Sequence, residues 1–337
     1  MRCAMRSIRM SAEPALLAIT GLTVSLPTPA GERLAVDGVG LTLAAGASLG
    51  LVGESGAGKT QLALAIPGLS PASARIRGSV RFAGAELLGA DPAAMRALRG
   101  ARIGFVFQEP MTALTPHLTV GTQLTETLRA HRAVGRSSAR RAAQAMLERV
   151  RVADAAMRLR QYPHELSGGL RQRVMVAIAL MAGPVLLIAD EPTSALDVSV
   201  AAGVLALFGE LKAELGTALL LISHDLAAVG ASCEEVAVLY AGRIVEQGPA
   251  ARLLSAPRHP YTAGLAAASI GLDAALTGPL AVIPGSPPAA GAAHHGCAFA
   301  PRCPRATAHC ARVAPALVPF PGGQVACHFP LPATDAT

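Results

Sequence analysis

Residues 53–60 read GESGAGKT, with Gly53, Gly56 and Gly58 ahead of Lys59 and Thr60. The stretch follows the apolar run SLGLV, so it sits where a buried strand turns into a helix. Glycine costs backbone entropy in such a turn, which points to a ligand that must approach bare main chain. The spacing fits G-x-x-x-x-G-K-[ST], a loop whose N–H groups converge on phosphate oxygens. Gly53, Glu54, Ser55, Gly56, Ala57 and Gly58 then form the cradle of a nucleoside triphosphate. Lys59 reaches its β- and γ-phosphates, and the Thr60 hydroxyl ligates Mg²⁺. A side chain at Gly56 or Gly58 is expected to obstruct the approach.

A pair of acids complements the loop. LLIADEP, residues 186–192, is an apolar strand ending in Asp190 and Glu191. Asp190 is expected to bind Mg²⁺, directly or through water, and Glu191 to activate the attacking water as general base. Between loop and acids lies LSGGLRQR, residues 166–173. Ser167, Gly168 and Gly169 open a helix expected to run to about residue 182, and such a helix start is a second anion site. One chain therefore carries two phosphate-binding ends.

Positioning these residues requires alternating strands and helices. Residues 15–26 and 33–43 alternate as strands around the turn TPAGE, and 47–52 is a buried strand. A helix follows at 59–66, with strands at 76–82 and 102–107. Residues 117–182 read as helical, 185–189 and 218–222 as strands flanking a helix at 198–214, and AGRIVEQG as a last hairpin. Strand, helix and strand in that order predict a parallel sheet. Pro, Gly and Ala dominate after residue 271, and no internal repeat signals a second nucleotide core.

Composition narrows the class. A chain of 337 residues suggests one large domain with an appendage. With 52% hydrophobic and 15% charged residues it can build a sizeable core. Gly183-Pro184 breaks the longest apolar candidate, VMVAIALMAGPVLLIA, so no membrane span is expected. The head MRCAMRSIRM is basic with no apolar core behind it, which excludes a secretory signal; it is a functional head, or the chain starts at Met5 or Met10. The net charge of +7 is matched by one segment, where nine arginines between Arg129 and Arg160 face only Glu148 and Asp154. That segment is a solvated helical face or a contact for acidic lipid heads or an acidic partner. It lacks interleaved aromatics, so no nucleic-acid stacking surface is expected. Four of the six cysteines fall in the tail, and a disulfide framework does not suit a protein that handles cytosolic nucleotide.

The landmarks together resemble the ATP-binding subunits of ABC transporters. GESGAGKT, LSGG, Gln108 in FVFQEP as the Q-loop, SALD (194–197) as the D-loop and His224 in LISHDL as the switch histidine follow the family's order over roughly residues 15–250. The resemblance implies an α/β P-loop NTPase with a mixed-sheet core, an N-terminal antiparallel β subdomain and a helical subdomain at about 109–182. It implies hydrolysis of ATP with Mg²⁺, a γ-phosphate contact for His224, and a Mg²⁺ or water contact for Gln108 that senses the transmembrane partner. It also implies a head-to-tail pair in which Ser167, Gly168 and Gly169 of one subunit cover ATP on the other. Two departures stand out: Leu170 replaces the usual glutamine after LSGG, and no aromatic precedes Phe82. Relatives stack adenine on an N-terminal aromatic; here Leu26, with Val36, is expected to take the base, at a loss of about 0.5–1.5 kcal/mol.

RHPYTAGL (258–265), IPGSPP (283–288), CAFAPRCPRATAHC with CHFP, and EPMTALTP after Gln108 resemble the oligopeptide/dipeptide/nickel branch. That branch implies a peripheral subunit on the cytoplasmic face of the cell membrane. Its implied partners are two permeases, a second ATPase that is a copy or a paralogue, and an extracytoplasmic solute-binding protein. Di- and oligopeptides are the expected solute, with nickel as the alternative. Non-transport ABC ATPases carry a coiled-coil insertion or two cores, and this chain has neither. The expected division is a head at 1–14, the ATPase domain at 15–256 and an irregular extension at 257–337.

Cys297, Cys303, Cys310 and Cys327 are separated by five, six and sixteen residues. In a segment with little apolar core, four thiolates can act as a metal staple. Zinc sites usually include C-x₂₋₄-C pairs, and none occurs here. Four cysteines also suit an iron–sulfur cluster, and relatives in the branch carry [4Fe–4S] there. A structural [4Fe–4S] cluster is therefore expected, with Zn²⁺ as the alternative and His295, His309 and His328 as bystanders.

Overall fold

The computed structural model describes residues 15–29, 31–194, 196–269, 282–288 and 295–332. The head at 1–14 and Ala195 of SALD lie outside the described residues, as do 270–281, 289–294 and 333–337 of the extension.

Twelve strands run in chain order among the described residues: β1 (Leu17–Thr28), β2 (Gly31–Leu43), β3 (Ser48–Val52), β4 (Arg75–Phe82), β5 (Ala85–Glu86), β6 (Ile103–Val106), β7 (Leu186–Asp190), β8 (Ala218–Ser223), β9 (Glu235–Tyr240), β10 (Arg243–Pro249), β11 (Val318–Phe320) and β12 (Gly323–Val325). They form two sheets, β2-β1-β4-β5 and β11-β12-β10-β9-β3-β8-β7-β6. The first is antiparallel throughout. In the second, the strands from β9 to β6 are parallel, and β10, β12 and β11 extend it antiparallel.

Burial follows sequence pattern. SLGLV, LLIAD and ALLLIS are buried at every residue, as parallel strands covered on both faces must be. From Val39 to Leu43, β2 alternates buried and exposed, so one face packs and the other is wet.

The helices are α1 (Lys59–Ala65), α2 (Pro92–Leu98), α3 (Pro110–Ala113), α4 (Val120–His131), α5 (Arg136–Arg149), α6 (Ala155–Arg158), α7 (Gly168–Leu180), α8 (Val198–Leu215), α9 (Leu226–Gly230), α10 (Ala250–Ser255), α11 (Pro260–Ala268) and α12 (Ala308–Arg312). Helices α3 to α7 occupy the stretch expected to be helical, and α4 and α5 pack on α7. Ala139, Ala143, Met146 and Leu147 form the buried stripe of α5, which turns Arg140 and Arg141 to water. The basic segment is partly neutralised from outside: Arg149 pairs with Glu214 at 3.0 Å and Arg151 with Glu210 at 2.7 Å, both on α8.

The extension is less irregular than its composition predicts. Its β11–β12 hairpin joins the core sheet, with Glu246 opposite Val325 and Gln247 opposite Gln324. Three-residue strands around Gly322-Gly323 carry no periodic signal, and their partner lies some 80 residues upstream. The fully buried Glu246 anchors the junction, accepting the Arg258 and His259 N–H groups at 2.8 Å each and the Arg252 guanidinium at 2.9 Å. His259 caps α11 by accepting the Tyr261 N–H at 3.0 Å, and burial lowers its ring to a pKa of about 4.

Strand β3 carries the phosphate loop, and its Gly50 lets α9 lie directly upon it. A Cβ there would stand 1.9 Å from Val229 Cγ1. Gly50→Ala should therefore destabilise the fold by about 1–3 kcal/mol. A urea melt should show a lower midpoint at an unchanged slope; an unshifted midpoint would mean that α9 gives way freely.

Candidate functional site

The expected site residues gather at the carboxyl edge of the parallel strands. The register pairs Val52 with Ser223, Asp190 with Ile222 and Val106 with Ala189, so four strand ends lie level. The phosphate loop leaves β3, Gln108 stands two residues beyond β6, Glu191 one beyond β7 and His224 one beyond β8. Open α/β sheets bind ligands at this edge.

Lys59 is the centre of the arrangement. Its ammonium donates to the Gly53 carbonyl at 2.7 Å and the Glu54 carbonyl at 3.1 Å, and it lies 3.4 Å from Glu191 Oε1. Two of the glycines are required by the fold itself, apart from any ligand. A Cβ on Gly58 would meet the Ala35 carbonyl oxygen at 2.1 Å, and one on Gly53 the Leu239 carbonyl oxygen at 2.2 Å. These two are required by neighbouring strands of the protein itself. Only Gly56, at φ +80°, has open space around it.

Glu191 holds φ +43°, uncommon for a residue with a side chain. Its carboxylate meets Lys59, the Gln108 amide at 3.5 Å and His224 Nδ1 at 3.5 Å. The His224 hydrogen bond, aided by the Lys59 charge, outweighs burial and lowers its pKa. Asp190 is shifted the other way: burial raises it, and the Thr60 hydroxyl only partly offsets that. Its Oδ1 is buried with no hydrogen-bond partner among the described residues. A buried, unsatisfied carboxylate oxygen beside a threonine hydroxyl is a donor set that fits Mg²⁺.

Other expected residues fall elsewhere. Ser167 caps α7 by accepting the Leu170 N–H at 3.4 Å, and Ser167 and Gly168 are exposed. A Cβ on Gly169 would lie 2.8 Å from Val200 Cγ1 on α8. No hydrogen bond joins these three to residues 53–60 among the described residues. Val36 cannot take a base, because it is fully buried in the core beneath the small sheet. Leu26 is half-buried opposite Arg33. Arg33, Leu34 and Ala35, not Leu26, line the cleft of about 860 Å³ beside Ser55, Gly56 and Ala57.

Two stretches of the chain match known families. Residues 36–194 match the family described as ABC transporter, and residues 245–310 match the oligopeptide/dipeptide transporter C-terminal region. The chain is 44% identical over 316 residues to the oligopeptide transport ATP-binding protein OppD of Salmonella typhimurium, covering 94% of each chain. It is 45% identical over 317 residues to OppD of Escherichia coli, again covering 94% of each. The chain belongs to the ABC-transporter ATP-binding family. Among solved structures it is similar to the dimeric ATP-binding cassette MJ0796 bound to ADP and Pi, with 25% identity and a TM-score of 0.63 over 69% of this chain and 98% of that one. This ABC protein is thus an ATPase that works with Mg²⁺.

The extension of the ABC protein brings its four cysteines together. Cys297, Cys303, Cys310 and Cys327 line one cavity with Phe299, His328 and Phe329. The space is about 20 Å³, room for roughly one water. Burial pushes the Cys297 and Cys327 thiols above their ordinary values. Among the described residues no three His, Cys, Asp or Glu side chains are grouped to hold a metal ion, so the thiols as placed form a ready site neither for the [4Fe–4S] cluster nor for Zn²⁺. His309 and His328 lie against each other, ring centroids 4.4 Å apart.

Sequence reading did not identify the groups that tie this extension to the phosphate loop. The Tyr261 hydroxyl accepts the Glu54 N–H at 2.8 Å, and Arg302 holds the Glu54 carboxylate at 2.6 and 2.9 Å. Beneath them Tyr240 packs edge to face on Tyr261 and Phe299, and the Tyr261 and Phe299 rings lie tilted against each other. Tyr261 lies in RHPYTAGL and Arg302 in CAFAPRCP, stretches that mark the branch without disclosing what they touch.

The Glu191–His224 pair sets a pH dependence. Glu191 raises the His224 pKa above 6.5, so its contribution is full below the unfolded histidine value and fades as pH rises through the folded one. The lowered Glu191 value sets the other limit: its share is present above the unfolded carboxylate value and lost as pH falls through the folded one. NMR should show His224 titrating above 6.5, and Glu191→Gln should bring that midpoint down. A midpoint indifferent to the substitution would dissolve the pair.

Proposed function

We propose that this protein is one of a pair of ATP-hydrolysing subunits that drive uptake of di- and oligopeptides through two membrane permeases. The carrying observation is that Lys59, Gln108 and His224 all converge on Glu191, beside the Asp190–Thr60 pair. Lys59 neutralises the β- and γ-phosphate oxygens, and the loop N–H groups from Gly56 to Thr60 hold them. Thr60 and Asp190 hold Mg²⁺, which supplies charge neutralisation when bound. Glu191 takes the proton of the attacking water, Gln108 orients that water, and His224 holds the γ-phosphate. A triphosphate that draws Lys59 toward itself removes one of the charges depressing Glu191 and strengthens it as a base.

Ser167, Gly168 and Gly169 then act on nucleotide held by the second subunit, a copy or a paralogue. Their exposure at the start of the 13-residue helix α7 supports this reading, as does the dimeric state of the similar cassette. The helical layer at about 109–182 faces the permeases, and the extracytoplasmic binding protein is an indirect partner. The site of action is the cytoplasmic face of the membrane; among the described residues no helix is long and apolar enough to cross it. The peptide reading is supported by the matched C-terminal region and by the printed function of the OppD relatives. We assign the four cysteines to a structural [4Fe–4S] cluster, a reading supported by the cavity that they line together.

Lys59→Ala should abolish most ATP binding, and Glu191→Gln should keep binding while slowing hydrolysis by about 10²–10⁴-fold. Undiminished turnover in Glu191→Gln would remove the base assignment. A mixed dimer of Lys59→Ala and Ser167→Arg subunits keeps one complete site and should retain partial activity. Full-rate hydrolysis by a proven monomer would refute the shared site.

The cluster has its own measurement. Anaerobically purified protein should show iron, acid-labile sulfide and a visible charge-transfer band. Stoichiometric zinc without iron, or an ordered extension with no metal at all, would reject it.

A further inference from the structure

Four residues hold Glu54, and two of them come from the extension. Its carbonyl accepts from Lys59 and from the Ala57 N–H at 3.1 Å each, its N–H donates to the Tyr261 hydroxyl, and its carboxylate takes both arms of the Arg302 guanidinium. Arg302 is 5% exposed, yet every one of its nitrogens is engaged. Nε donates to the Pro284 carbonyl at 2.9 Å, Nη2 also to the Ile283 carbonyl at 3.3 Å, and Nη1 also to the Tyr240 hydroxyl at 3.3 Å. The rings of Tyr240 and Phe299 stand 5.9 Å from its centre. A guanidinium so fully bound cannot drift, and a fork-to-fork pair fixes the carboxylate in both position and plane.

The consequence falls on the nucleotide. Glu54 sits in the loop that receives a triphosphate, and its side chain is a quarter exposed. Left alone, that carboxylate would be free to rotate toward the incoming phosphates and oppose them. We propose that Arg302 is a positioning residue of the nucleotide site: it neutralises the Glu54 carboxylate and fixes it in place beside the phosphate cradle. The extension thereby sets ATP affinity without touching ATP. The proposal rests on the reading of residues 53–60 as the nucleotide loop.

Binding of a fluorescent ATP analogue with Mg²⁺ and steady-state hydrolysis, both on the full chain, test it. Arg302→Met should weaken Kd and raise KM by roughly tenfold or more, because one partner of a desolvated pair is left charged. kcat at saturation should stay within about twofold, since Gln108, Glu191 and His224 are untouched. Adding Glu54→Gln to Arg302→Met should restore most of the affinity by removing the stranded charge. A double variant as weak as Arg302→Met would overturn the proposal, because a purely structural anchor is not rescued that way. Arg302→Lys keeps a charge but loses the fork and should give an intermediate Kd. If Arg302→Met does not fold, an unaltered Kd in Arg302→Lys overturns the proposal. Lys59→Ala separates the two levels. If it binds the analogue normally, the loop reading itself fails. If it loses binding while Arg302→Met keeps it, only the role of Arg302 fails.

Discussion

A buried ammonium sets the terms for this site. Lys59 is 4% exposed, and removing a cation from water costs several kcal/mol unless other groups replace its hydration. Two loop carbonyls and the Glu191 carboxylate do so. They arrive from the ends of two different strands, so β3 and β7 must finish level with each other, as their shared neighbour β8 ensures. The requirement also reaches the backbone. Glu191 turns into the left-handed region, which costs on the order of 1–3 kcal/mol, and its N–H is fixed by the Ile222 carbonyl at 2.9 Å.

Two neighbouring acids are pushed in opposite directions by this geometry. Asp190 still belongs to the strand, where burial favours its neutral form. Glu191 lies one residue further on, within reach of Lys59 and His224, which favour its anion. A divergence of that kind separates roles: the first acid is suited to a cation that restores its charge, the second to accepting a proton. The left-handed turn at Glu191 produces the split, because it takes the second acid out of the strand while the first stays buried in it.

Local pattern disclosed most of this arrangement. SLGLV, LLIAD and LLLIS announce buried parallel strands by composition, and the residues that follow each run are the ones that gather. Long-range contact stayed hidden. From sequence Val36 is expected to face a base, but the β1–β2 pairing shifts between Leu22–Val39 and Val24–Val36, beside Gly38 at φ +65°, and Val36 turns inward. Glu54 and Arg302 are 248 residues apart, and neither residue type announces the other. The β11–β12 strands were illegible for a related reason: with three residues each, they exist because β10 offers an edge, not because their sequence favours a strand.

The extension has little apolar core of its own, which explains where its ties to the rest of the protein lie. Glu246 on β10 gathers Arg252, Arg258 and His259; β10 templates β12; Tyr261 and Arg302 reach the phosphate loop. Each tie uses a group that the ATPase fold has already placed, so ordering the extension costs less than building an independent domain. The same economy binds the two together. A contact that stabilises the extension by gripping Glu54 must, by linkage, be felt at the loop that Glu54 belongs to. The extension therefore cannot loosen without the nucleotide loop losing two of the four holds on its second residue.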